Sequence, residues 1–276
     1  MDISSVFLLI LLGGLAGVAG GLLGIGGGLI LTPSLFFFFR EAGVPEDVLT
    51  PLAIGTGLLC TWVISLSSAI HHHSRGATNL RTAIICGLTA ASAAAATSIW
   101  VTTAPWFTPD LFQRVFAFFL MAVAIRMMLP GAADNNKKAR EADDESVIRP
   151  LPIIFGGAIA GFVASTVGIG GGMVLVPLYE RLLKMKIRLA VGTSSATIVI
   201  ITLAAVVTFV VRGSGLSITA SSIGFVDFKL AAILAIPAAI TTRLGVSIAH
   251  RINRQRLRQI FGVLALLISI RLFLGI

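Results

Sequence analysis

Two stretches of this chain are almost bare backbone: Gly24-Ile25-Gly26-Gly27-Gly28 and Gly168-Ile169-Gly170-Gly171-Gly172. Each glycine inside a helix costs about 1 kcal/mol against alanine, so such density needs a reason. Three adjacent glycines point all round a helix, and one packing face cannot require them all. They fit an unwound turn between two half-helices. The half-helices starting at about Leu29 and Met173 would then present unbonded N–H groups and the positive end of the helix dipole. Without side chains in the way, an anion can come close to that backbone. Two such turns, brought together, would hold an anion with no buried charged side chain. The candidate substrate-binding residues are therefore Gly26, Gly27, Gly28, Gly170, Gly171 and Gly172. The competing reading is a purely structural re-entrant turn. A dinucleotide-binding loop is a poor fit, because the spacing is not GxGxxG and no ribose-binding acid accompanies it.

Hydroxyls stand at matched positions nearby in sequence. Gly55-Thr56 and Gly192-Thr193-Ser194 each open an apolar segment, and a hydroxyl can donate to an oxyanion at little desolvation cost. Thr56, Thr193 and Ser194 join the candidate set; ordinary bonding to helix carbonyls is the alternative for each. Ser165 and Thr166 precede the second glycine cluster. The remaining glycines Gly13, Gly14, Gly17, Gly20, Gly157 and Gly161 suit close helix packing.

Other chemistry is weaker. His71-His72-His73 cannot jointly face one ion, since neighbours on a helix point apart, and no metal site or cofactor is expected. Arg243 could reach an anion but more simply snorkels to an interface. Cys60 and Cys86 lie in apolar stretches and read as packing residues. No catalytic triad, HExxH or paired-carboxylate arrangement stands out, so no catalytic residue and no enzyme activity are expected.

What must position these residues follows from composition. The chain has 276 residues, 56% hydrophobic and 12% charged. Soluble domains carry about 25% charged residues, so this chain cannot cover a water-facing surface. An all-α polytopic membrane protein, with the lipid bilayer as its surroundings, is left. The net charge of +9 reads as basic loops rather than nucleic-acid binding. Charge-poor segments of the length a bilayer needs recur along the chain. The opening MDISS lacks the positive region of a signal peptide, so the first segment is read as mature structure.

The chain also repeats itself. AGVAGGLLGIGGGLILTP from Ala16 lies over AGFVASTVGIGGGMVLVP from Ala160 at an offset of 144, Pro33 over Pro177. LAIGT at Leu52 matches LAVGT at Leu189, and Arg75-Gly76 matches Arg212-Gly213, both at an offset of 137. Asn79-Leu80-Arg81 resembles Asp227-Phe228-Lys229. This order predicts two repeats, residues 1–130 and 150–276, joined by a polar cytoplasmic linker at 131–149. If each glycine-broken segment enters and leaves on one side, loops 71–81, 130–150, 180–188 and 243–258 share a face with 15 Lys and Arg, against 3 in the opposite loops. If it crosses instead, the split is 8 against 10. The positive-inside rule prefers the first. It predicts inverted repeats, each with three full transmembrane helices plus a hairpin-like broken element, about eight segments in all, with both termini outside. No Asp or Glu falls in a predicted span, which argues against proton or sodium coupling and favours export of an anion down the membrane potential.

The paired GIGGG-x4-P elements, the LAxGT starts and the R-G…[ND]-x-[RK] stretches resemble the TauE/SafE family of membrane permeases over nearly the whole chain. The resemblance implies a bacterial inner-membrane exporter of sulfite, organosulfonates or related sulfur-containing anions, working by alternating access. In that family's terms the glycine turns are Gly24, Gly26 to Gly28, Gly168 and Gly170 to Gly172, and the GT pairs Gly55-Thr56 and Gly192-Thr193. The halves differ at Gly57, where the second half has Ser194. Two alternatives stay open: a channel-like anion pore, and a membrane-embedded sulfur relay through Cys60 and Cys86.

Overall fold

The computed structural model describes residues 3–128, 150–216, 218–249 and, near the end of the chain, 262–263, 265–270 and 272–273. The linker expected at 131–149 lies outside the described residues. Helices dominate: α1 (Ile3–Leu23), α2 (Gly28–Glu41), α3 (Glu46–His73), α4 (Leu80–Thr103), α5 (Pro109–Met128), α6 (Pro150–Val167), α7 (Gly172–Pro177), which runs on into a π turn (Leu178–Leu182), α8 (Ile187–Arg212) and α9 (Phe228–Ala249). The described residues of 262–273 are helical too. A two-stranded hairpin, β1 (Ser222–Ile223) and β2 (Val226–Asp227), precedes α9, pairing Ser222 with Asp227 and Ile223 with Val226. This hairpin was not legible in the sequence, because two-residue strands leave no periodicity to read.

Among the described residues, five helices are long and apolar enough to cross a membrane: Ser4–Leu23, Glu46–His73, Leu80–Thr103, Ile187–Arg212 and Phe228–Ala249. Large apolar side chains such as Phe7, Phe118, Leu151 and Ile240 face outward. In water that surface would be costly; in lipid it is the expected exterior. Trp100, Trp106 and Phe107 cluster where α4 ends, the kind of aromatic group found at a membrane–water boundary.

Helix directions follow from the contacts. On α1, a methyl group added at Gly13, Gly17 or Gly21 would strike the carbonyls of Leu234, Ala238 and Thr242 on α9, so these two helices run parallel and nearly touch. On α6, Gly157 faces Cys86, Gly161 faces Ala90, and the Ser165 hydroxyl donates to the Ala94 carbonyl on α4 at 2.9 Å, again a parallel pair. Small residues every fourth position let these backbones approach. α3 runs parallel to α9, with the Cys60 thiol on the Ala231 carbonyl and the Ser67 hydroxyl on the Ala239 carbonyl. α8 runs parallel to α4, with Thr193 against Asn79 and Ile200 against Gly87.

α3 and α8 cross each other antiparallel: Gly55 lies by Phe209, and the Ser68 and Ser195 hydroxyls share a hydrogen bond of 3.0 Å. Both glycine-broken elements reverse the chain. Gly27 packs back on Ala16, and Gly171 on Ala160, while Leu178 returns to Gly156. α2 then descends α3 antiparallel, with Thr32 against Gly57. The last helical segment runs antiparallel to α5: the Gln113 amide donates to the Leu272 carbonyl at 2.7 Å, and the Ser269 hydroxyl to the Ala117 carbonyl at 2.8 Å. Loops 74–79 and 183–186 consequently lie at one end of the bundle, and loops 42–45, 104–108 and 213–227 at the other.

Candidate functional site

The two glycine turns are built alike, residue for residue. Gly24, Gly26 and Gly27 have φ of 66°, 78° and 77°, and Gly168, Gly170 and Gly171 have 77°, 82° and 80°. These left-handed values are routine for glycine and costly for other residues. Ile25 and Ile169 between them are buried. The fourth glycine of each motif needs space rather than freedom of φ. A Cβ on Gly28 would sit 2.6 Å from the Gly168 oxygen, and one on Gly172 would sit 2.6 Å from Ile25 Cα and 2.7 Å from the Gly24 oxygen. The two turns therefore pack against each other, reciprocally, in the middle of the bundle.

Both turns also face the crossing of α3 and α8. A Cβ on Gly26 or on Gly170 would in each case lie 2.6 Å from Thr61 Cγ2, with Ile198 on the other side. Among the described residues, the N–H groups of Ile25, Gly26, Gly27, Ile169, Gly170 and Gly171 have no main-chain acceptor. Helix α2 starts at Gly28 with Gly27 as its N-cap residue and no capping side chain, and α7 starts likewise after Gly171. The Gly27 and Gly171 carbonyls accept only from residues further on, Ile30 and Leu31 in one half, Val174 and Leu175 in the other. The result is a buried concentration of main-chain donors with no Lys or Arg side chain against the glycines among the described residues.

Carbonyls of the turns are tied across the halves. Thr32 on α2 donates to the Gly168 oxygen at 2.7 Å, and Ser194 on α8 donates to the Gly24 oxygen at 3.1 Å. By the repeat, Thr32 answers to Val176 and Ser194 to Gly57. The same bond is thus made in both halves by a hydroxyl from a different helix. Gly57 is what leaves room for Thr32, since a Cβ there would fall 2.5 Å from the Thr32 Oγ1. The difference at Gly57 and Ser194 is therefore compensated in the fold.

Thr56 and Thr193 are fully buried but stand away from the turns, toward the starts of α9 and α4. Thr56 Oγ1 accepts from the Asp227 N–H at 3.0 Å, and Thr193 Oγ1 from the Asn79 N–H at 3.0 Å. Those two residues cap the neighbouring helices: Asn79 Oδ1 accepts from the Thr82 N–H at 3.1 Å and Asp227 Oδ1 from the Leu230 N–H at 2.9 Å. The preceding glycines give the incoming loops clearance, Gly55 under the Phe225 carbonyl and Gly192 under that of Ala77. The GT pair thus seats the capping residue of the opposite half.

Residues that the sequence reading passed over lie at the turns. Thr61 and Ser65 of α3 are fully buried, and neither hydroxyl has a hydrogen-bond partner. Thr61 Oγ1 lies 2.8 Å from where a Gly28 Cβ would be, and Ser65 Oγ 2.7 Å from where a Gly26 Cβ would be. Leaving a buried hydroxyl unbonded costs about 1–3 kcal/mol. The available signal was the spacing of Thr61, Ser65, Ser68 and His72, which sets four polar residues on one face of α3.

The cysteines are apart from this cluster. The Cys60 thiol points at Ala231 and the Cys86 thiol at Ile153, each 3.7 Å from a main-chain oxygen. Arg243 is exposed. His72 is buried, its Nε2 3.4 Å from the Gly21 oxygen, and His71 Nδ1 lies 2.6 Å from the Ser67 oxygen, so the two rings point to different helices. A shallow cavity of about 310 Å³ by Phe38, Pro45, Thr219 and Asp227 lies at the end bearing loop 42–45. Its one charged group is a carboxylate, which suits an anion badly.

Outward apolar helices, parallel close-packed pairs and two reversing glycine turns mark a multi-pass α-helical membrane protein. The chain matches the family described as sulfite exporter TauE/SafE over residues 9–272, and it belongs to that family. Similar proteins include a probable membrane transporter protein of Methanocaldococcus jannaschii, 29% identical over 94% of this chain and 93% of the relative. Another from Haemophilus influenzae is 27% identical over 98% of both chains, and the probable membrane transporter protein YunE of Bacillus subtilis is 26% identical over 97% of both. The family is one of transporters rather than of enzymes. No solved structure matches the chain.

Proposed function

We propose that this protein is a carrier that exports a small sulfur-containing anion, sulfite or an organosulfonate, by alternating access, and that the anion binds between the two glycine turns. The observation that carries this reading is the reciprocal packing of Gly28 on Gly168 and of Gly172 on Ile25, with unbonded main-chain N–H groups on both turns. Backbone donors hold a negative oxygen without a counter-charge buried in lipid, where an unpaired cation would be expensive. The donors of Gly26 to Gly28 and Gly170 to Gly172 would contact the anion. Ser194, with Thr32, would set the position of the turn carbonyls. Thr56 and Thr193 would act at one remove, through the helices they seat.

The two halves are read as inverted repeats. Support comes from the antiparallel crossing of the repeat-equivalent helices α3 and α8, and from the exchange by which α1 packs on α9 and α6 on α4. The membrane is then crossed by six full helices and entered by two hairpins. Loops 74–79 and 183–186 would face the cytoplasm, with both termini on the far side of the bacterial inner membrane. The turns are in contact, so they must part for an anion to enter. That supports a carrier over an open pore.

The test is flux in proteoliposomes with labelled sulfite, taurine and sulfoacetate. Saturable flux of one of them is expected. Folded protein that moves none of them would refute the proposal, and single-channel currents would replace the carrier by a pore.

A further inference from the structure

The glycine turns are nearly symmetric, but what faces them is not. On α3, Thr61, Ser65, Ser68 and His72 form one buried polar face. The repeat-equivalent residues of α8 are Ile198, Thr202, Ala205 and Phe209. Thr202, the only hydroxyl among these four, is already spent, donating to the Ile198 carbonyl at 2.7 Å. On α3 the two hydroxyls nearest the turns are not: Thr61 Oγ1 and Ser65 Oγ are fully buried and have no partner. Thr61 Oγ1 lies against Gly28 at the start of α2, and Ser65 Oγ against Gly26, whose N–H has no main-chain acceptor. Donors of two kinds, main-chain N–H and side-chain O–H, therefore stand side by side at the first turn, and among the described residues neither hydroxyl has a hydrogen-bond partner.

We propose that Thr61 and Ser65 are substrate-binding residues, donating hydrogen bonds to the oxygens of a small oxyanion held at the glycine turns, so that the first repeat gives the site hydroxyl donors that the second does not. The inference rests on the reading of the turns as an anion site. It accounts for a pair of unbonded hydroxyls that simple packing would have replaced by valine and alanine. It also gives the site a direction. The polar face continues from Ser65 to Ser68, which pairs with Ser195, and to His72, toward the end carrying loop 74–79. The equivalent face of α8 continues through Ala205 to Phe209, toward the opposite end, and is apolar. An oxyanion thus meets donors on the side of the basic loops.

The experiment measures sulfite flux and, separately, the rise in melting temperature that sulfite gives the purified protein, for the parent and for Thr61→Val, Ser65→Ala, Thr61→Ser and Thr202→Val. Thr61→Val and Ser65→Ala should each raise KM and the midpoint of stabilisation by about tenfold or more, with melting temperature in the absence of sulfite unchanged or higher. Thr61→Ser, which keeps the hydroxyl, should restore the parental KM, and Thr202→Val should leave it alone. If the parent responds to sulfite but Thr61→Val and Ser65→Ala respond at the same midpoint, the inference is overturned and the glycine-turn reading stands. If none of sulfite, taurine and sulfoacetate stabilises or crosses with the parent, that reading fails and the inference fails with it.

Discussion

The Thr32 hydroxyl donates to the Gly168 carbonyl at 2.7 Å, and the residue that would block it, at position 57, is a glycine. In the other half the hydroxyl sits at Ser194, the counterpart of Gly57, and valine replaces the threonine. One bond between the halves is conserved in space while the residues that make it have exchanged places.

That exchange can be tested directly. Gly57→Ser alone should destabilise, because its Cβ would crowd Thr32 Oγ1 at 2.5 Å. Thr32→Val alone should cost about 1–3 kcal/mol, through an unpaired Gly168 carbonyl. The double variant Thr32→Val/Gly57→Ser copies the second half: with the valine γ carbons turned away from position 57, the serine hydroxyl can donate to the Gly168 carbonyl, as Ser194 does to Gly24, and most of both losses should be recovered. Thermal melts in detergent across the four proteins measure this; simple additivity would show that the two positions are not coupled.

At the turns, Gly172→Ala should abolish flux and lower the melting temperature, since its methyl would displace the Gly24–Ile25 backbone. Gly14→Ala is the contrast. Its Cβ would make ordinary contact, 3.7 Å from Thr241 Cγ2, so it should be neutral or gain up to about 1 kcal/mol from helix propensity. Gly17→Ala, three residues on, should be strongly destabilising, because its methyl would strike the Ala238 carbonyl.

Thr56→Val and Thr193→Val remove acceptors for the Asp227 and Asn79 N–H groups. Each should cost about 1–3 kcal/mol of stability. KM for sulfite should change little, since these hydroxyls bond loop backbone rather than face the turns. A large KM effect with unchanged melting would reassign them to the binding site itself.

Cys60→Ala/Cys86→Ala should keep transporting. The thiols lie on different helix pairs, α3 with α9 and α4 with α6, each against a carbonyl. Loss of flux in folded double variant would revive a sulfur relay.

Reporter fusions should place loop 74–79 on the cytoplasmic side and loop 104–108 opposite. The reverse result would contradict the orientation drawn from the loop charges.

By itself the sequence determined the medium, the repeat and the turns. A chain 12% charged has no solvent-facing option, and an offset of 144 without a gap aligned two glycine motifs that no helix face could need. These are one-dimensional properties, since composition and period do not depend on what packs where. Tertiary structure alone decided partnership. Thr56 and Thr193 looked like ligands by position, yet their oxygens accept from the helix starts of the other half. Thr61 and Ser65 looked like ordinary helix hydroxyls, yet they lie unbonded against the turns. A hydroxyl's meaning depends on which group lies within about 3 Å of it, and that distance is set by the crossing of α3 and α8, contacts more than a hundred residues apart along the chain.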